Sequence, residues 1–369
     1  MLTVAVELVT RINNSCIRKK SYRHSIIGKN GTSGYLITNT SKEPLRRIWT
    51  MSAKQYNKKG VPMRVGVIGV GEMGQNHLRI YRELGTEITG VSDLNEERAR
   101  KIASQYETRA FTNYRELLSQ ELDAVTIAVP TSKHKEVALA AISNGVNILI
   151  EKPITDTIFH ADEIIKAAEK TGLKLMVGHI ERFNPVVKKL KETIEDGTLG
   201  KVILLSSRRV GPFASKITDT GIIIDLATHD IDVARYIIAK EPLEVFAKFS
   251  NIKNKKGDCA LIVLDFGEMT AAIEVNWFTP HKIRTMIITG TEGIAYVNYI
   301  EQSLEIYKTG CKMIPRFEKG EPLKFELEHF IECIKLNKQP MISGYDGLKT
   351  LEIALEAEAM AQRIRVTGE

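Results

Sequence analysis

The segment Gly69-Val70-Gly71-Glu72-Met73-Gly74 constrains this chain most, because it joins the apolar run Arg64-Val65-Gly66-Val67-Ile68 to an amphipathic stretch over residues 73–84. Few architectures place a glycine-rich turn between a strand and a helix. Gly69 permits the tight turn, Gly71 lets the backbone approach a pyrophosphate, and Gly74 allows the helix to pack closely on the strand. Glu72 and Met73 sit at the helix start, where free N–H groups carry partial positive charge and attract phosphate. Asp93 lies 19 residues beyond Gly74, at the end of the next apolar run. A carboxylate there accepts from the ribose hydroxyls of a dinucleotide. It would repel a 2′-phosphate, so the pattern predicts NAD as cofactor rather than NADP. The competing reading is that Asp93 only caps the helix beginning near Asn95. Arg98 or Arg100 would be the residue to rescue NADP binding, but each is expected on an exposed helix face.

The rest of the chain follows two styles. Short apolar runs at 64–69, 87–92, 124–129, 147–150 and 173–177 alternate with amphipathic stretches at 73–84, 95–105, 135–143 and 155–171. That alternation marks a parallel α/β sheet. After Gly200, strand-like runs at 202–209, 243–251, 259–266, 269–277, 283–289 and 295–299 are separated by turn signals such as Gly267 and Gly290. Met269, Ala271, Ile273, Val275 and Trp277 alternate with Thr270, Glu274 and Asn276, a period of two that predicts an open, mostly antiparallel sheet. A helix over 222–238 is inserted near its start, and helices over 323–336 and 347–364 close the chain. The predicted fold is an α/β N-terminal Rossmann domain plus a C-terminal α+β domain. The expected partition is an extension at 1–62, a Rossmann domain at 63–184, a substrate and oligomerisation domain at 185–345 and a C-terminal helix at 346–369. Residues 259–266 are apolar on both sides, Cys259, Leu261 and Val263 opposing Ala260, Ile262, Leu264 and Phe266. One face can pack on the domain's own helices, and the other predicts a homodimer or homotetramer built through this sheet.

Charge excludes one class of partner. The net charge is +7, but residues 1–62 hold 12 of the 52 Lys and Arg and only 2 of the 45 acids, leaving 40 bases against 43 acids, a net of −3, in residues 63–369. A mildly acidic body predicts no nucleic-acid binding. The first 62 residues lack sustained periodicity and end in Lys58-Lys59-Gly60-Val61-Pro62. Three readings of them stand: a disordered or normally unmade extension with Met63 as the biological start, a targeting sequence, or a basic arm for a partner. No apolar run is long enough to span a membrane. Cys16, Cys259, Cys311 and Cys333 lack metal-ligand spacing and predict reduced thiols and a cytoplasmic location.

Glu151-Lys152-Pro153 ends a Rossmann run, at the sheet edge where open α/β folds bind ligands. Asp225-Leu226-Ala227-Thr228-His229-Asp230-Ile231-Asp232 lies on the inserted helix, with Asp225 and His229 four residues apart and therefore on one face. Together with Pro130-Thr131-Ser132-Lys133-His134, these motifs resemble the glucose–fructose oxidoreductase/inositol dehydrogenase family across residues 63–369. The resemblance implies an NAD-dependent dehydrogenase acting on a secondary alcohol. In that reading His229 is the acid/base, Lys152 the cation at the hydroxyl oxygen, and Asp225 the positioning group. Asp225 then orients the imidazole, bonds a substrate hydroxyl, or does both. The chemistry suits the residue types, because a base with a pKa near neutrality takes the hydroxyl proton and a cation stabilises alkoxide character. Glu151 and Lys152 join the cofactor contacts, and Pro130, Thr131 and His134 form the nicotinamide-side wall. Singly, Lys152 reads as a surface lysine, His229 as a core histidine, and Thr131 or Ser132 as a helix cap. Their joint appearance in a Rossmann context favours a site.

Gly178-His179-Ile180-Glu181-Arg182-Phe183-Asn184-Pro185 follows the last Rossmann run and resembles the family's subgroup that oxidises the 3-hydroxyl of UDP-linked N-acetylhexosamines. Arg209-Val210-Gly211-Pro212, Asn276-Trp277-Phe278-Thr279-Pro280-His281-Lys282 and Glu326-Leu327-Glu328-His329-Phe330 extend that resemblance. It implies a nucleotide-sugar substrate, whose diphosphate calls for cations such as Arg182, Arg208 or Arg209. Phe183 and Asn184 complete the expected substrate site, Asn184 through a sugar hydroxyl or acetamido group. Phe183 reads equally as core, and neighbours on one strand point to opposite faces, so at most one of Arg208 and Arg209 is expected to reach the site. A free polyol such as inositol is the alternative substrate. A non-catalytic dinucleotide-binding regulator is the alternative of another class, disfavoured because Lys152, Asp225 and His229 are all present.

Overall fold

The apolar runs after Met63 become adjacent strands in the computed structural model, which describes residues 61–213, 220–252, 254 and 256–366. Strands β1 (Arg64–Ile68), β2 (Glu87–Ser92), β3 (Arg109–Phe111), β4 (Ala124–Ile127), β5 (Asn147–Glu151) and β6 (Leu175–Gly178) form one sheet in the order β3-β2-β1-β4-β5-β6. Every pairing in it is parallel. Its central strands are apolar on both faces because helices cover both. These are α1 (Glu72–Glu83), α2 (Glu96–Gln105), α3 (Tyr114–Leu118), α4 (His134–Ser143) and α5 (Ile158–Thr171). Local chemistry sets their ends. Asn95 and Thr157 cap α2 and α5 through their side chains, and Gly172 stops α5 in the left-handed region at φ 72°. The strand order is that of a Rossmann fold, and it places the C-terminal ends of β1, β4, β5 and β6 along one edge.

The second sheet holds β7 (Val202–Pro212), β8 (Glu244–Ser250), β9 (Cys259–Asp265), β10 (Thr270–Asn276), β11 (Phe278–Gly290), β12 (Ile294–Asn298), β13 (Ser303–Lys308) and β14 (Cys311–Met313). Its order is β14-β13-β12-β11-β7-β10-β9-β8, antiparallel except for the β7–β10 pair. One face carries Leu205, Ile262, Ile273, Met286 and Ile288 into the core, beneath helices α6 (Pro185–Glu195) and α7 (Thr228–Ile238). The sheet is open and mostly antiparallel, as the period of two predicts.

Two closing helices tie the sheets together. The last, α9 (Gly344–Val366), packs on α5 of the first sheet and on β8 and α7 of the second. Helix α8 (Pro322–Lys335) follows the second sheet in sequence, yet Leu323, Leu327 and Phe330 pack with Met63, Val65 and Leu78 of the Rossmann core. A boundary at 184/185 therefore describes chain order better than packing. Among the described residues no helix is long and apolar enough to cross a membrane, and no cluster of His, Cys, Asp and Glu could hold a metal. Cys259, Cys311 and Cys333 are free thiols. Cys16 and the three readings of the extension, apart from its last two residues, lie outside the described residues.

Candidate active site

The phosphate turn has the geometry its glycines predict. Gly69 has φ 87°, and a Cβ on it would stand 2.4 Å from the Ala128 carbonyl oxygen. A Cβ on Gly74 would meet the Gly69 carbonyl oxygen at 1.9 Å, so only glycine lets α1 approach the turn. Gly71 faces open space, and no side chain caps α1. The first N–H groups of that helix, at exposed Glu72 and Met73, are thus left for a ligand's phosphates.

Asp93 follows β2, and its carboxylate accepts from the Val70 N–H at 3.0 Å and the Asn95 N–H at 2.9 Å. Arg98 reaches it with two further bonds, at 3.0 and 2.7 Å. Burial alone would raise this carboxyl, but Arg98 and the two N–H groups hold it below its ordinary range. Asp93 is therefore ionised beside the phosphate turn, where a ribose would lie, and it also braces the turn and the start of α2. Arg98 does not simply occupy an exposed face; it covers the carboxylate. The free helix N–H groups, the open space over Gly71 and the ionised Asp93 together fit NAD.

Lys152 follows the last residue of β5. Its Nζ donates to the Asp225 carbonyl at 2.6 Å and lies 3.4 Å from Asp225 Oδ1. The structure thus joins two of the three expected catalytic residues across the two domains. His229 stands one turn beyond Asp225, and its Nδ1 is buried with no hydrogen-bond partner among the described residues. Burial first, then the charges of Lys152, Arg209 and Arg284, push the imidazole well below its ordinary value. His229 is neutral at pH 7 and able to accept a proton. Asp225 does not bond the imidazole. Residues Ile223–Ala227 form a π-turn, where the i, i+4 alignment of a regular α-helix does not hold, and the Asp225 contacts go to Lys152. Such turns concentrate at functional sites. Of the two roles left open for Asp225, orienting the imidazole is not the one its contacts serve.

Other expected contacts are placed differently. His134 is buried, with Nδ1 2.9 Å from the Pro153 carbonyl and Nε2 3.0 Å from that of Val129. With main-chain oxygens on both sides, the ring braces the loop after β4 against the loop after β5. Pro130 and Thr131 lie before it in an exposed to half-buried turn leading into a short 3-10 helix, Thr131–Lys133. Glu151 turns to His77 of α1 at 3.0 Å, His77 contacts the Thr126 hydroxyl, and Thr126 in turn bonds the Tyr81 hydroxyl. It acts as a brace under the cofactor turn. Burial would raise its carboxyl, but His77 and Lys152 hold it below the usual range.

The expected diphosphate cations are likewise held internally. Arg182 is clamped by Asp232 at 2.8 and 2.7 Å and by Asp346 at 3.0 Å. Arg209 donates to Asp230 at 2.5 Å and Glu181 at 2.8 Å. Arg208 projects to the opposite face, 3.1 Å from Glu274. Asn184 caps α6 and donates to Glu181 and to the Tyr299 carbonyl. Phe183 packs its ring 5.4 Å from that of His329. These side chains order the wall behind the site, because each buried charge has found an internal counter-charge. The sequence assigns no role to His179, buried after β6 with both ring nitrogens unbonded among the described residues, or to Arg284 on β11. A signal for the second was readable: Arg284, Met286 and Ile288 share one strand face, so a charge heads an otherwise apolar inward row.

Residues 63–179 match an oxidoreductase family with an NAD-binding Rossmann fold, and residues 187–296 match the GFO/IDH/MocA C-terminal domain. The chain is similar to UDP-N-acetylglucosamine 3-dehydrogenase of Acidithiobacillus ferrooxidans, 32% identical over 318 residues that cover 82% of this chain and 100% of the relative. A solved structure of that enzyme superposes with a TM-score of 0.77, covering 82% of this chain and 99% of the other at 31% identity. The scyllo-inositol 2-dehydrogenase (NAD(+)) of Bacillus subtilis is 30% identical, with 80% of this chain and 93% of the relative covered. With both domains matched, in order and nearly full length, the chain belongs to the GFO/IDH/MocA family and is an NAD-dependent oxidoreductase.

Proposed function

We propose that this protein oxidises a secondary hydroxyl of a sugar, namely the 3-hydroxyl of UDP-N-acetylglucosamine, giving the 3-keto nucleotide sugar. The carrying observation is the convergence of the Lys152 ammonium and Asp225 beside a neutral, unbonded His229 at the ligand-binding edge of the Rossmann sheet. His229 accepts the hydroxyl proton, and Lys152 stabilises the oxygen as negative charge develops on it. Asp225 holds the Lys152 ammonium through two contacts and leaves its second carboxylate oxygen for a substrate hydroxyl. When bound, NAD supplies the acceptor for the hydride that leaves the sugar carbon. The similarity to UDP-N-acetylglucosamine 3-dehydrogenase over its whole length supports the choice of substrate. A non-catalytic regulator would have no need of the assembled Lys152, Asp225 and His229.

The test is absorbance at 340 nm with NAD and a panel of UDP-sugars, free N-acetylglucosamine and inositol, followed by NMR assignment of the keto carbon. UDP-N-acetylglucosamine is expected to reduce NAD and free N-acetylglucosamine is not, because the nucleotide contributes binding energy that positions the sugar. Faster turnover of inositol than of every UDP-sugar would replace this reading with the polyol one. The same reading includes a homodimer or homotetramer formed through the second sheet. Its free thiols support a cytoplasmic location.

A further inference from the structure

With Arg182 and Arg209 held by buried carboxylates and Arg208 on the opposite face of the sheet, a charged substrate needs another cation, and the second sheet provides one. Arg284 lies on β11 directly opposite Arg209 of β7. Met286 and Ile288 follow on the same strand face and are fully buried, so Arg284 heads a row on the core face of the sheet, the face on which α7 packs through β7 and β10. Its side chain is 39% exposed, and its nearest carboxylate, Glu181 Oε1 at 3.8 Å, already receives Arg209 at 2.8 Å. Among the described residues no hydrogen bond reaches its guanidinium.

That arrangement is costly for an arginine. Its five N–H donors form a rigid fork that needs oxygen acceptors, and partial burial removes much of the water that would supply them. Burial first, and then the neighbouring Arg209, push its pKa down, and the nearby acids only partly offset this. The charge also acts on His229, which places it within electrostatic reach of the reacting group. A bidentate oxyanion would satisfy the fork, relieve the repulsion from Arg209 and hold the ligand beside the base. We infer that Arg284 binds the diphosphate of the substrate and is the residue that discriminates nucleotide sugars from free sugars. This inference rests on the nucleotide-sugar reading but is testable apart from it.

Arg284→Gln and Arg284→Lys are compared with wild type in the full chain with NAD bound. Calorimetry reads the affinity for UDP and, in a separate arm, for glucuronate. Steady-state kinetics reads KM and kcat for UDP-N-acetylglucosamine. Loss of a charge-assisted pair is expected to weaken UDP binding and raise KM by about 10- to 100-fold in Arg284→Gln. Arg284→Lys should recover part of that loss, and NAD affinity should stay within error. Unchanged UDP affinity in folded Arg284→Gln, or a loss confined to glucuronate, would overturn the assignment. If the wild type fails to oxidise UDP-N-acetylglucosamine, the proposed function falls and the UDP arm alone decides this one. UDP binding that Arg284→Gln loses then keeps the diphosphate site, and no UDP binding by the wild type removes it.

Discussion

His229, the proton acceptor of the proposed reaction, unites two properties that such a role requires, a ring kept neutral and the nearby charge of Lys152. Its neutrality comes first from burial and then from the surrounding cations. Replacing it with alanine is expected to lower turnover by about 10²–10⁴-fold, measured on protein whose melting temperature is checked in parallel. The pH profile is a sharper readout. Because the folded pKa lies well below 6.5, kcat/KM should stay flat as pH falls through that value and decline only further down. An acid limb centred at 6.5 or above would speak against this environment. Stability follows the same sign. His134, His179 and His229 all have depressed folded values, so the unfolded chain binds more protons below 6.5 and stability is lost as pH falls beneath it. The meeting of Lys152 with Asp225 was readable in sequence because motif order and domain carry it. The roles of Arg182, Asn184 and Arg209 were not, since a sequence shows a charge but not the carboxylate 164 residues away, here Asp346, that neutralises it.

At the scale of elements, long periodic segments matched their expected spans, and short or irregular ones did not. Strand β3 has three residues and α3 five, too few to show a period. Helix α6 is absent from the sequence expectation although Asn184-Pro185 is a sound helix start, because Asn184 reads there as a substrate contact. The π-turn at Ile223–Ala227 is invisible to a 3.6-residue period, and Asp225 lies within it. Helix α8 illustrates how an element carries a buried cost. Glu326 faces the Rossmann core with both carboxylate oxygens buried and, among the described residues, unbonded. Burial, and secondarily the Glu151 charge, push its carboxyl well above the usual value. The unfolded chain ionises this group near 4.5 while the folded one does not, so stability is lost as pH rises above that value. Glu326→Gln removes the penalty without changing the shape. Its melting temperature is expected to exceed that of wild type by a margin that grows from about pH 5 to about pH 8. A constant margin would mean that Glu326 has a partner in solution.

The whole molecule leaves one broad surface to explain, the outer face of the second sheet. Register places Phe246, Val263, Ala272, Ser206, Ile287 and Tyr296 side by side across β8, β9, β10, β7, β11 and β12. Ser206 alone interrupts an apolar row that no helix among the described residues covers, with Phe246 47% and Tyr296 43% exposed. The neighbouring row, Lys248, Leu261, Glu274, Arg208 and Thr285, mixes both signs of charge, as a surface does when it meets its own copy about a two-fold axis. An open sheet of this breadth with an apolar band is poorly suited to water, and pairing two such faces buries both bands at once. Light scattering at micromolar concentration is therefore expected to give the mass of two or four chains. Ile287→Lys places a charge in the middle of the band, at a half-buried position outside the core, and should shift the mass to a single chain while the melting transition remains cooperative. A wild type that scatters as one chain would refute the assembly, and an Ile287→Lys protein that keeps the larger mass would move the interface to another face.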